Sequence, residues 1–181
     1  MRIISGEHKG RRLNPGKSFK ARPTTDFAKE NLFNVLNNYF DFEDLSVLDL
    51  FSGTGSIAYE FSSRGSRQVD AVEVNVKYHA FIRKTAGELG FSNLRAIRAD
   101  VFQFLNHTQN EYDLIFADPP YEMKELDQLP DQVFGHDLLK PGGWFIMEHG
   151  REHDFSDYPR FRELRKYGSV HFSIFENRQT G

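Results

Sequence analysis

The sequence predicts an α/β fold: a mostly parallel sheet covered on both faces by helices, with a C-terminal antiparallel hairpin and a small N-terminal basic extension. Three observations lead there. From Ser46 onward, short apolar runs alternate with stretches of helical periodicity, the pattern of repeated strand–helix units. The first run ends in a glycine turn, Gly53-Thr54-Gly55, that leads straight into a helix. Near the other end, 161–167 and 170–175 flank Gly168-Ser169, a turn signal between two strand-like stretches.

Taken in order, residues 1–25 place Ile3, Ile4 and Leu13 among Gly6, Gly10, Pro15 and Gly16, which predicts a loose hairpin followed by an extended loop. Thr24, Thr25 and Asp26 supply N-cap side chains. After them Ala28, Leu32, Val35, Leu36 and Tyr39 fall at helical spacing, so a helix is expected to about residue 40. Residues 1–44 are thus expected as a hairpin, loop and helix, and 45–181 as the body. Within the body the expected strands are 47–51, 69–73, 94–98, 112–117 and 143–148, and the expected helices 56–63, 76–89, 102–106 and 126–139. Gly90 stops the second of these helices, and Pro141-Gly142-Gly143 bounds the last.

With 39% hydrophobic and 27% charged residues among 181, the chain has the makings of one ordinary globular core. No apolar run approaches bilayer length, and the N-terminus lacks a signal-peptide core, so a cytoplasmic monomer with no membrane partner is expected. Cysteine is absent, which excludes disulfides, thiolate metal sites and a cysteine nucleophile. The seven histidines are scattered without ligand spacing, so no metal is expected. Residues 1–30 carry eight Lys or Arg against three acids, a net +5, whereas the rest of the chain sums to −8. A polyanionic partner met by one face explains that asymmetry, and so does a merely solvated tail; charge alone does not choose.

The chemistry gathers at the ends of the predicted strands. In parallel α/β sheets ligands lie beyond the carboxyl ends, where this sequence places Asp49, Glu73, Asp100 and Asp118. Asp49-Leu50-Phe51-Ser52-Gly53-Thr54-Gly55 nearly fits a dinucleotide turn, yet Asp49 would repel a pyrophosphate. An ammonium group would welcome that acid. Glu73 is placed to accept both hydroxyls of a ribose, and Asp100 to accept from an adenine amine. Each acid alone reads more readily as a cap or a solvated loop residue; together they point to S-adenosylmethionine. Asp118-Pro119-Pro120-Tyr121 then forms a stiff lip of acceptors beside a ring. Asp118 and the Pro119 carbonyl can hold the two N–H groups of a nucleobase amine while Tyr121 stacks on the base. The missing cysteines exclude methylation of pyrimidine carbon-5 through a thiolate, which leaves nitrogen.

At these residues the chain resembles the RsmD family, bacterial 16S ribosomal RNA guanine-N2 methyltransferases with a Rossmann-like class I fold. The likeness runs through Met1-Arg2-Ile3-Ile4-Ser5-Gly6, Lys9-Gly10-Arg11-Arg12-Leu13, Arg22-Pro23-Thr24-Thr25-Asp26, the glycine turn, Ser63-Arg64-Gly65, Asp118-Pro119-Pro120-Tyr121 and Lys166-Tyr167-Gly168. The basic N-terminal signature is the specific part; the turn and the D-P-P-Y lip are shared with many amine methyltransferases. The resemblance implies cofactor contacts at Asp49, Phe51, Gly53, Gly55, Glu73, Asp100 and Asp118, and catalysis at Asp118, Pro119 and Tyr121. It also implies a 16S ribosomal RNA or small-subunit partner gripped by Lys9, Arg11, Arg12, Lys17 and Arg22. The Phe-Ser-Gly-Thr-Gly spelling, where alanine and serine are commoner, and the aromatic helix after it (Tyr59, Phe61) depart from the family pattern without touching a polar role. Trp144 and most of the 18 phenylalanines read as core, and Glu148 as structural. Three other functions stay in view: methylation of DNA adenine N6 or of another RNA, a nicotinamide oxidoreductase, and a non-catalytic RNA-binding factor.

Overall fold

A computed structural model describes residues 1–20 and 24–178. Helix α1 (Asp26–Leu36) precedes a body of strands β1 (Ser46–Leu50), β2 (Gln68–Val72), β3 (Leu94–Ile97), β4 (Tyr112–Ala117), β5 (Leu139–His149), β6 (Phe161–Tyr167) and β7 (Val170–Glu176). Helices α2 (Ser56–Ser63), α3 (Val76–Leu89), α4 (Val101–His107) and α5 (Leu129–Phe134) connect the first five strands. The sheet order is β3-β2-β1-β4-β5-β7-β6. The first five strands run parallel, and β7 pairs antiparallel with both β5 and β6. Strand order reverses between β1 and β4, which opens a crevice beyond their carboxyl ends.

Both faces are dry. Val47, Val69, Leu114, Phe116, Trp144 and Ile146 pack beneath α1, α2 and α3. Their alternates Leu48, Leu50, Ile115, Ala117, Phe145 and Met147 pack beneath α4 and α5. The period of two therefore assigns Asp49, Asp118 and Glu148 to the α1–α3 face.

Local chemistry accounts for most boundaries. The Thr25 hydroxyl accepts from the Ala28 N–H at 3.2 Å to cap α1, and Asn75 accepts from Lys77 and Tyr78 to cap α3. Gly90, in the left-handed region at φ 69°, ends α3. Two expectations fail. Helix α1 stops at Leu36 rather than near residue 40, because the following turn brings Tyr39 and Phe40 against Trp144, at centroid distances of 4.8 and 5.1 Å. The helix expected over 126–139 is a 3-10 turn, Leu126–Gln128, followed by the short α5. Asp137 at φ 50° breaks the helical path, and β5 begins at Leu139, well before the expected 143. Pro141 and Gly142 sit in a register shift of that strand, where no ladder bond from Pro141 is needed.

The expected N-terminal hairpin is reduced to one bridge, Arg2 with Arg12, supported by Ile3 N–H to the Arg11 carbonyl at 2.9 Å. This arm is docked on the body. Ile3 is 1% exposed, and Glu60 of α2 accepts the backbone N–H groups of Ile4 and Ser5 at 2.8 and 3.0 Å. The same buried carboxylate pairs with Arg64 at 2.9 Å and with Lys29 at 3.5 Å. Lys29 also donates to the Arg2 carbonyl at 2.6 Å and to the Ser56 hydroxyl at 3.1 Å. One ionic hub thus joins the arm, α1 and α2.

Candidate active site

A cavity of about 500 Å³ lies at the carboxyl ends of β1 and β4. The turn between β1 and α2 makes its floor. Gly53 and Gly55 have φ of 56° and 88°, and Phe51, a non-glycine, is held at φ 57°. Such a residue costs roughly 1–3 kcal/mol, a strain that persists where surrounding structure enforces it. Phe51 and Gly53 line the cavity. Gly55 does not; a Cβ there would lie 2.6 Å from the Tyr59 ring, so its part is to let the turn close over α2.

Asp49 is 1% exposed, and its Oδ2 has no hydrogen-bond partner among the described residues. Burial pushes its pKa up to about 8, with the nearby charge of Glu73 adding to the shift and hydrogen bonds from Ser52 and the Ala58 backbone offsetting part of it. A buried carboxylate oxygen left without a partner is an empty socket for a cation or donor. Glu73 follows β2 directly and is pinned to the turn: Oε2 accepts from the Gly53 N–H and Oε1 from the Asn75 N–H, each at 2.8 Å. Each oxygen keeps a second lone pair for a hydroxyl. Tyr78 lines the cavity beside Val74, with Phe19 of the N-terminal segment stacked on it at 5.1 Å.

Asp118, Pro119, Pro120 and Tyr121 form the opposite wall. Burial raises the Asp118 pKa well above the carboxylate range, helped by the charges of Glu148 and Asp49. Tyr121 is 44% exposed, and its hydroxyl donates to Glu148 Oε1 at 3.1 Å. Glu148 is the residue that sequence reasoning missed. It lines the cavity, and its Oε2 accepts from the Thr24 hydroxyl at 2.7 Å. Ala117 pairs in register with Met147, so Asp118 and Glu148, each one residue further along, stand side by side on one face. Only that pairing, which no local pattern encodes, marks Glu148 for the site.

The remaining predicted residues lie apart. Asp100 is exposed and outside the cavity lining, and its Oδ1 accepts from the Gln103 N–H at 3.1 Å to cap α4. Lys9, Arg11, Arg12 and Lys17 are exposed, and no ion pair joins them to another described residue. Arg22 falls outside the described residues. No group of His, Asp or Glu among the described residues could hold a metal ion, and no described helix is long and apolar enough to cross a membrane.

A family described as Conserved hypothetical protein 95 matches residues 1–176. Ribosomal RNA small subunit methyltransferase D of Buchnera aphidicola subsp. Baizongia pistaciae is 29% identical over 181 residues, covering 98% of this chain and 92% of that protein. The protein of the same name from Buchnera aphidicola subsp. Acyrthosiphon pisum is 36% identical over 151 residues, covering 83% of this chain and 78% of its own. Among solved structures, a hypothetical protein of Thermus thermophilus superposes with a TM-score of 0.86 over 97% of this chain and 99% of its own at 24% identity, which shows the shared fold. A family match over nearly the whole length, on a class I methyltransferase sheet with an acid-lined cavity at its switch point, places the chain in the RsmD family.

Proposed function

We propose that this protein transfers a methyl group from S-adenosylmethionine to the exocyclic N2 amine of a guanine in 16S ribosomal RNA of the small subunit. The observation that carries the reading is the unpartnered, buried Oδ2 of Asp49 in the same cavity as the Asp118-Pro119-Pro120-Tyr121 lip. The residues present fit the cofactor. Asp49 suits an ammonium group, Glu73 suits ribose hydroxyls, and Phe51 and Gly53 let the backbone run close beneath it. Asp100, already engaged in capping α4, is kept as the adenine acceptor through its second oxygen. Bound there, S-adenosylmethionine supplies an electrophilic methyl on a sulfonium.

The chain's own work is placement and charge. A guanine N2 amine is a weak nucleophile because its lone pair is delocalised into the ring. Asp118 and the Pro119 carbonyl accept its two N–H groups, aim the nitrogen along the line of displacement, and carry the positive charge that grows on it. The two positive charges of the donor favour the ionised form of Asp49 and Asp118, so the empty site holds protons that the loaded site releases. Tyr121 stacks on the base. Residues 1–44 serve as the RNA-facing extension of a methyltransferase domain at 45–181, with Lys9, Arg11, Arg12, Lys17 and Arg22 on phosphates. The protein acts as a monomer in the cytoplasm.

Labelled cofactor and small subunits from a strain lacking the modification test this reading. Label on one guanosine is expected. Label on DNA adenine, with none on the subunit, would overturn it.

A further inference from the structure

Glu148 has a place in the cavity that neither the cofactor contacts nor the lip explains. It is buried, stands beside Asp118 across the β4–β5 pairing, and faces the end of the cavity where Tyr121 forms the wall. Its two oxygens take the hydrogens of two hydroxyls, Thr24 at 2.7 Å and Tyr121 at 3.1 Å. A carboxylate accepts only. It therefore turns both hydroxyl hydrogens onto itself and leaves the hydroxyl lone pairs directed away from the Glu148 contacts. With Asp118 and the Pro119 carbonyl, the described residues at this end of the cavity offer several acceptors to a ligand.

Nucleobases differ in what they offer such a wall. On its Watson–Crick edge guanine presents two adjacent donor groups, the ring N1–H and the N2 amine. Adenine presents one amine beside a bare N1 lone pair, which an acceptor wall repels. Phosphate and sugar contacts by the basic arm carry no such choice.

We propose that Glu148 is a specificity-determining residue that selects guanine by requiring a donor at ring N1 beside the target amine. The inference rests on the guanine-N2 reading above and names the group that enforces it. Wrong bases fail here because a base without N1–H leaves a buried carboxylate and a base lone pair facing each other, a buried mismatch that sites built on hydrogen bonds reject strongly.

The test uses small subunits reconstituted on 16S ribosomal RNA that carries, at the position mapped for methylation, either guanosine or 2-aminopurine riboside. The analogue keeps the 2-amine but has no N1–H. With the native protein, kcat/KM for the analogue should be lower than for guanosine by about tenfold or more. Glu148→Gln, whose amide can donate to a bare N1, should shrink that ratio severalfold while cofactor affinity, measured by calorimetry, stays within about twofold. A role confined to folding would lower transfer to both bases in proportion; an unchanged ratio in Glu148→Gln overturns the proposal. Should that variant not fold, the native protein decides, since equal transfer to the two bases also overturns it. Failure of the native protein to label guanosine is a separate outcome: it removes the guanine-N2 reading, and this inference with it.

Discussion

Lowering the pH should weaken cofactor binding through Asp49, and the size of the effect follows from the site. Burial raises the Asp49 pKa to about 8, and its Oδ2 has no partner among the described residues. An ammonium group needs the ionised form. At a pKa near 8 about half of Asp49 is ionised at pH 8, about a tenth at pH 7 and about 1% at pH 6. The association constant should therefore fall about 50-fold from pH 8 to pH 6, a loss of about 2.3 kcal/mol. Binding at pH 7 should release about 0.9 proton, since the loaded site holds Asp49 ionised. Calorimetry with S-adenosylhomocysteine, which keeps the ammonium but cannot be turned over, reads both quantities when run in buffers of different ionisation enthalpy. Asp49→Asn removes the titration: the variant should bind more weakly at pH 8, and most of its pH dependence should vanish. Because Asp118 is also raised, the variant separates the two acids. Native affinity that stays flat between pH 6 and 8 would refute the reasoning.

The ionic hub gives a second prediction. Glu60→Ala strips Lys29, Arg64 and the N–H groups of Ile4 and Ser5 of their shared acceptor. It should cost about 3–5 kcal/mol and lower the thermal midpoint by roughly 6–20 °C, with faster proteolysis of the first residues. Gly55→Ala puts a Cβ 2.6 Å from the Tyr59 ring at φ 88°; stability and cofactor affinity should both fall by more than the about 1–2 kcal/mol that left-handed backbone alone costs. Gly16→Ala, at the same φ with open space around it, is the control and should lose only the backbone part. Replacing Arg11 and Arg12 by Gln should reduce the slope of log affinity for small-subunit RNA against log salt by about 0.7–0.9 for each phosphate no longer neutralised. Cofactor affinity should not change in that variant.

The sequence made the body of the fold legible because its signals are local. Gly53 and Gly55 mark a turn that only left-handed backbone can make, Asn75 and Gly90 bracket α3, and the strand alternation separates the two packed faces. Asp49 and Glu73 were likewise readable, as acids at the ends of strands that must run parallel. What stayed hidden depends on pairings distant in sequence. Lys29 counts as a basic-arm charge in the sequence, yet in the fold it is buried against Glu60, 31 residues on. Glu148 looks structural until the β4–β5 register stands it beside Asp118. β5 starts before the expected 143 because Pro141 and Gly142, which read as a break in the sequence, lie in a register shift that lets the strand pass through them. Asp100 met a local competitor, since the same carboxylate that could reach a ligand also caps the helix that follows it.

In the proposed reaction the Asp118-Pro119-Pro120-Tyr121 lip holds the N2 amine of one guanine in small-subunit ribosomal RNA. Mass spectrometry of nuclease-digested 16S ribosomal RNA from a strain deleted for this protein, beside the same strain carrying the native gene or Asp118→Ala, tests it most directly. One N2-methylguanosine should be absent from the deletion strain, return with the native gene, and stay absent with Asp118→Ala. An unchanged set of methylated guanosines in the deletion strain, or full restoration by Asp118→Ala, would contradict the account.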